Sequence, residues 1–274
     1  MDLPSLTIRV VRPLPRQPPT YFRCMLAYPY AKYRALVVAA LDLGKAVFVQ
    51  PKLDGIRCLG TAAMMMSRLG NQIDSVDALR AHIPTGVRLD GELYAPQFAA
   101  DFEGLMGQFQ SAGTGLQYHV FDLPSHPGNF AERYAALVQL VAQINCPDIV
   151  LVPTLQVRTV AELDAAFAAY LEQGFEGQII RLNDTYRSGR TTRLLKRKEL
   201  QDAEFPVVGV NDLGSLVLRL PEGQTFTVPC PHLRDWLLAH PQRALSQQAT
   251  VRFSSRTKSG LPRHAAVRCL RNYE

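Results

Sequence analysis

Residues 52–57 read Lys-Leu-Asp-Gly-Ile-Arg, set between a short apolar run, Ala46 to Gln50, and a second apolar stretch around Leu59. The two runs predict strands, and Asp54-Gly55 predicts a turn of the chain between them. Lys52 then stands where a strand ends, its amine in reach of a pocket under the sheet, and Arg57 points a fixed positive charge at the same place. An amine attacks only when neutral, and its ordinary pKa is about 10.4, so a nucleophilic Lys52 needs a neighbouring cation or loss of water to lower it. On its own the hexapeptide also reads as a solvated lysine before a hairpin turn.

Five further motifs follow in order: Ser67-Arg68-Leu69-Gly70, Asp90-Gly91-Glu92-Leu93-Tyr94, Tyr118-His119-Val120-Phe121-Asp122, Glu176-Gly177-Gln178-Ile179-Ile180-Arg181 and Leu194-Leu195-Lys196-Arg197-Lys198. In this order and spacing the chain resembles the ATP-dependent DNA ligases, members of the covalent nucleotidyltransferase superfamily that also holds RNA ligases and capping enzymes. The resemblance covers residues 24 to 212. It implies that Lys52 attacks the α-phosphate of ATP and becomes adenylylated, with catalysis supplied by positioning and by neutralised phosphate charge. Arg57 and Arg68 then approach sugar and phosphates, Glu92 holds the ribose hydroxyls, and Phe121 stacks on the purine, although a Phe in an alternating strand is also ordinary core.

Glu176 matches the carboxylate near a divalent metal, Mg²⁺ or Mn²⁺, with Glu92 as a second acidic candidate; hard oxygen ligands plus substrate phosphates suit such an ion. Lys196 and Lys198 alternate on a strand, so both face one side and reach the α-phosphate and leaving group, while Arg197 faces away. Near the end, Ser259-Gly260-Leu261-Pro262-Arg263-His264 resembles the last motif of compact viral, phage and bacterial ligases, with Leu261 in place of the usual aromatic and His264-Ala265 in place of a more apolar pair. Arg263, and after it Lys258, is the candidate for orienting pyrophosphate.

The organisation expected is an α+β nucleotidyltransferase (adenylation) domain over residues 1–202, followed by a small all-β OB-fold domain over 203–274. Helices are predicted over Ala31–Leu43 with Gly44 as the stop, Asp74–Ala81, Asn129–Gln143 and Val160–Gln173, and strands around Val47, Leu59, Val87, Val120, Val150 and Ile179. Ile8–Val11 reads as a strand before the Pro-rich Pro13–Pro19. Gln201–Phe205 resembles the family's hinge. Beyond it come short strands, Pro206–Val210, Leu216–Leu220, Thr225–Val228, Thr250–Phe253 and Ala265–Leu270, with a helix over Pro231–Ala239; five strands and an inserted helix is an OB-fold count.

Charge and cysteine content agree. Residues 203–274 hold nine Lys and Arg against five Asp and Glu, the more basic part per residue, which fits contact with a phosphate backbone or simply a solubilising face. The five cysteines are widely spaced and never paired as Cys-x-x-Cys, which fits a reducing cytoplasm and argues against a zinc site. No apolar run approaches the roughly 20 residues that span a bilayer, and the first twenty residues do not resemble a secretory signal. The expected protein is a monomeric, cytoplasmic enzyme of viral or bacterial type that seals nicked duplex DNA; an RNA ligase or a GTP-dependent capping-type enzyme is the alternative.

Overall fold

The computed structural model describes residues 23–98, 104–105, 115–245, 247–257 and 259–271. The Pro-rich start, the strand expected over Ile8–Val11, and Lys258 lie outside the described residues. Up to Lys198 the strands are β1 Met25–Pro29, β2 Val47–Lys52, β3 Ile56–Gly60, β4 Met65–Ser67, β5 Leu89–Tyr94, β6 Gln117–Asp122, β7 Ile149–Leu151, β8 Leu155–Val157, β9 Gly177–Leu182 and β10 Gly189–Lys198. With them go helices α1 Tyr30–Asp42, α2 Asp77–Arg80, α3 Phe130–Ile144 and α4 Val160–Glu172. The strands form two five-stranded sheets, ordered β1-β10-β9-β2-β8 and β4-β3-β5-β6-β7. This is the mixed α+β architecture expected.

Strand β2 shows how sequence sets the layers. Its side chains alternate in direction. Val47 and Val49 pack with Val37 and Leu41 of α1 and Leu163 and Tyr170 of α4. Phe48 and Gln50 face the second sheet's side, where the Phe48 ring meets Phe130 at 5.2 Å and the Gln50 amide donates to the Phe121 carbonyl at 3.2 Å. The second sheet has its own core, in which Leu137 of α3 joins Leu89, Leu93, Tyr118 and Val120. Between the two sheets a small apolar cluster, Leu53, Tyr94, Phe121 and Val152, closes the base of a cleft. The connection from β2 to β3 carries the chain from one sheet to the other, and it is three residues long, Leu53-Asp54-Gly55.

After Lys198, strands β11 Gln201–Val210, β12 Leu216–Arg219, β13 Thr225–Val228, β14 Gln248–Phe253 and, after the hairpin β15 Ser255–Arg256 with β16 Pro262–Arg263, β17 Ala266–Arg271 make a third group. Five of them form an antiparallel sheet ordered β13-β12-β11-β14-β17. Helices α5 Arg234–Ala239 and α6 Pro241–Ala244 lie between β13 and β14 in the chain. Phe205, Leu216, Leu218, Val228, Leu237, Val251 and Phe253 are its core.

Several boundaries differ from the sequence reading for local reasons. Asn129 is a cap rather than the first helical residue: its side chain accepts from the Glu132 N–H at 3.1 Å, and the Glu132 carboxylate accepts from the Asn129 N–H at 2.8 Å, a reciprocal capping box. The segment 74–81 divides into a 3₁₀ turn and the four-residue α2. Val87 sits in a turn, its N–H on the Pro84 carbonyl, so β5 starts later. The residues read as a hinge, 201–205, are already the first half of β11, paired residue by residue with β14 from Gln201↔Phe253 to Phe205↔Ala249. Among the described residues no helix is long and apolar enough to cross a membrane.

A buried charge cluster ties α3 to both sheets. Arg133, on α3, is 1% exposed and donates to both Asp122 oxygens at 2.7 and 3.2 Å and to the carbonyls of Gly128 and Asp184 at 2.9 and 2.8 Å. Arg181, on β9, donates to Asp122 at 2.6 Å and to Gln50 at 2.7 Å. Removing one partner of a buried ion pair strands the other without water. Arg133→Ala is therefore expected to cost about 3–5 kcal/mol in urea unfolding, and a loss under about 1 kcal/mol would contradict the structural role.

Candidate active site

Lys52, the last residue of β2, lies in register with Gly177 of β9, which in turn pairs with Lys198 of β10. Three adjacent strands thus deliver two ammonium groups to one row. Glu176 sits at the head of β9, its N–H on the Lys52 carbonyl at 3.0 Å. Its two carboxylate oxygens divide between the amines, Oε2 to Lys52 and Oε1 to Lys198. Gly177 allows this row: a Cβ there would collide with the Arg197 carbonyl, and its φ of +152° is one that side chains disfavour.

On β10 the alternation puts Leu194, Lys196 and Lys198 on the cleft face. Arg197 points the other way, to Asp164 of α4 at 2.6 Å and over the Phe167 ring at 4.1 Å. The cleft holds a cavity of about 540 Å³ whose wall contains Lys52, Arg57, Arg68, Glu92, Phe121, Glu176, Lys196, Lys198 and Arg263 together. Among the site residues expected from sequence, only Lys258 has no position here, because it lies outside the described residues.

Each side chain arrives by a distinct route. Arg57, on β3, is held by Asp90 through two bonds of 2.6 and 2.7 Å and stacks over Phe121 at 4.6 Å. Asp90 also accepts from the Tyr186 hydroxyl at 2.6 Å. Glu92 pairs across the sheet with Arg57 and receives the Gly55 N–H. Gly55 packs so close to Leu93 that a Cβ would overlap the Leu93 carbonyl. Arg263 comes from the β15–β16 hairpin of the third group and donates to Asp54 at 2.6 Å, roofing the cavity.

The electrostatics favour a reactive amine. Burial lowers the Lys52 pKa, with Arg57 and Arg263 pulling the same way against Glu92 and Asp54. Burial and the Lys52 charge bring Lys198 down to about 8, and burial lowers Lys196 as well. Burial raises Glu92 above the usual carboxylate range, against Lys52 and Arg57. Two wall residues, Gln50 and Arg181, were not singled out as site residues from sequence; Gln50 stands two before Lys52 and so shares its face of β2, which is the signal that finds it.

No group of three or more His, Cys, Asp or Glu among the described residues is arranged to hold a metal alone. The wall carries three carboxylates, Glu176, Glu92 and the Arg263-paired Asp54, and a small carboxylate set suits a hard divalent cation that takes its remaining ligands from substrate phosphates and water.

The family model of the ATP-dependent DNA ligase domain matches residues 24–198. Among curated proteins, a DNA ligase of Enterobacteria phage T4 is 22% identical over 60% of this chain and 46% of its own length. A DNA ligase of Haemophilus influenzae is 24% identical over 78% of this chain and 82% of its own. The chain spans about half the length of the phage relative and of an African swine fever virus DNA ligase, 46% and 51%. Among solved structures, a Lig E DNA ligase superposes with a TM-score of 0.77 at 24% identity, over 91% of this chain and 99% of that one. The Chlorella virus DNA ligase-adenylate gives 0.52 at 20% identity, over 92% and 99%. These likenesses bear on the fold.

The Lys52 amine is nucleophilic only when neutral, so its labelling by an amine-reactive reagent rises with pH through a midpoint expected below the ordinary 10.5. Glu176→Gln removes the anion that stabilises the ammonium and is expected to move the midpoint lower still. Competitive labelling read by mass spectrometry measures this; an upward shift would contradict it.

Proposed function

The chain belongs to the ATP-dependent DNA ligase domain family, and on that premise we propose that it seals 3′-hydroxyl/5′-phosphate nicks in duplex DNA through a lysyl-AMP intermediate. The observation that carries the reading is the row Lys52–Glu176–Lys198 inside one cavity, roofed by Arg263. Lys52, made neutral, attacks the α-phosphate of ATP: its nitrogen bonds phosphorus, the bond to pyrophosphate breaks, and the amine proton passes to solvent. AMP then moves to the 5′-phosphate at the nick, and the 3′-hydroxyl displaces it.

Each step is in-line phosphoryl transfer, so one positive cradle serves all three. Lys196 and Lys198 neutralise phosphate charge, Arg57 and Arg68 orient sugar and phosphate, Glu92 takes the ribose hydroxyls and Phe121 the purine face. Glu176, with Glu92, would hold Mg²⁺ or Mn²⁺, which supplies charge neutralisation on the phosphates. Arg263 orients the departing pyrophosphate, with Lys258 as a second candidate.

We further infer that residues 1–202 act as the adenylation domain and 203–274 as an OB fold. The strand order β13-β12-β11-β14-β17, with helices between the third and fourth of these strands, supports that reading, since an OB fold is a five-stranded Greek-key sheet of this kind. A cytoplasmic setting is supported by five free cysteines.

A duplex with a single 5′-phosphorylated nick, incubated with ATP and Mg²⁺, is expected to yield the joined strand on a denaturing gel, with far less from an RNA-nicked duplex. Lys52→Ala is expected to abolish both joining and the protein–AMP adduct. An adduct on that variant would move the nucleophile elsewhere; an adduct without joining in the unaltered protein would keep the nucleotide chemistry and reject nicked DNA. Glu176→Ala is expected to shift the metal titration upward, and an unchanged titration would remove its metal role.

A further inference from the structure

His264 enters the same cavity and takes no part in the chemistry described so far. It follows Arg263 at the end of β16, with its backbone in the left-handed region at φ +55°. A histidine there costs some conformational energy, so the position is held by its surroundings. Imidazole Nδ1 lies 3.0 Å from the Ser254 hydroxyl, and that hydroxyl also donates to the Arg263 carbonyl at 3.3 Å. One ring nitrogen is thereby anchored to the hairpin, while Nε2 has no hydrogen-bond partner among the described residues. The ring forms part of the cavity wall alongside Lys52, Glu176, Lys198 and Arg263.

The charges acting on the ring come from every element around it: Lys198 of β10, Arg263 of β16, Lys52 of β2, and Asp54 between β2 and β3. Partial burial opposes a proton on the imidazole, the Lys198, Arg263 and Lys52 cations add to that, and Asp54 works against them, so that the pKa is held down. A triphosphate in the cavity reverses the sign of that field. Arginine keeps its charge whatever the cavity contains, whereas histidine gains charge only when an anion is present.

We propose that His264 is a catalytic residue of the adenylation half-reaction: it takes a proton from solvent as the triphosphate of ATP enters, and its Nε2–H then donates to the phosphates that leave as pyrophosphate. The inference rests on the ligase reading above. When pyrophosphate departs, His264 returns its proton to solvent, and the covalent changes stay as described: the Lys52 nitrogen bonds the α-phosphorus, the phosphorus–oxygen bond to pyrophosphate breaks, and the amine proton leaves to solvent. The adenylate left behind carries a single phosphate, so the attraction between roof and cavity weakens just when the nick has to enter.

Titration calorimetry of the full chain with Mg²⁺ and an ATP analogue whose α,β bridge cannot be cleaved, in two buffers of different ionisation heat near about pH 7.5, reads the proton directly. Proton uptake on binding is expected in the unaltered protein, shared with the lysines of the cavity, and a smaller uptake in His264→Gln. The rate of AMP attachment at limiting ATP is expected to fall about tenfold in His264→Gln, the scale of one charge-assisted hydrogen bond. His264→Arg, with a permanent charge, is expected to restore the rate and flatten its dependence on pH.

Unchanged proton uptake in His264→Gln would overturn the proposal. So would an equal loss in joining a pre-adenylated nick, where no pyrophosphate is present and only a structural role would act. Absence of any AMP adduct in the unaltered protein would reject the ligase reading itself, a result separable from adduct formation that is indifferent to His264.

Discussion

One carboxylate between two amines organises the cleft. Glu176 bridges Lys52 and Lys198 at the ends of β2 and β10, on either side of β9, where two like charges would otherwise repel in a place with little water. Such an arrangement is stable only while the strands stay in register, and the pairing of β2, β9 and β10 fixes that register over several residues on each side. On the proposed ligase reading the same arrangement would exchange partners: phosphates would offer the ammonium groups new anions and release the carboxylate for a cation.

Behind this row the polar groups are tied down. Asp122 accepts from Arg133, from Arg181 and from the Leu123 N–H, and Arg181 reaches on to Gln50 in the cavity wall. Phe121, adjacent in sequence, lies between the Arg57 and Arg181 guanidiniums at 4.6 and 5.3 Å. A wall built this way is held by directional bonds whose loss leaves buried charge, so its shape resists thermal distortion more than an apolar wall would. The cavity is therefore preorganised on its inner side. Its roof, carried by a two-residue strand, rests largely on Arg263 and Asp54.

Much of this was legible in the sequence, and what was not has a physical explanation. The helices ending at Gly44 and Gly174 were readable because both glycines adopt the left-handed conformation that stops a helix, φ +65° and +83°. The shared face of Lys196 and Lys198 followed from strand periodicity alone. The pairing of Ala203 and Phe205 with β14, nearly fifty residues later, was not legible at 201–205, because no local pattern announces a distant partner. Arg133 was invisible for the same reason: on α3 it reads as a solvated helix charge, and only the fold brings Asp122 against it. Gln50 looked like an ordinary polar residue in an apolar run, and its buried bonds to Phe121 and Thr154 depend on the second sheet.

The close approach at Gly55 reaches beyond packing. Lys52 and Asp54 present their side chains to the cavity, whereas Gly55 is there because nothing larger fits beneath the Leu93 carbonyl. The hexapeptide is thus screened twice, by reactivity at some letters and by shape at the others. A side chain at Gly55 would push the β2–β3 connection off β5 and displace Glu92, whose Cγ it also meets. Two unrelated demands thus meet within four letters, a side chain facing the cavity at Lys52 and the exclusion of any side chain at Gly55.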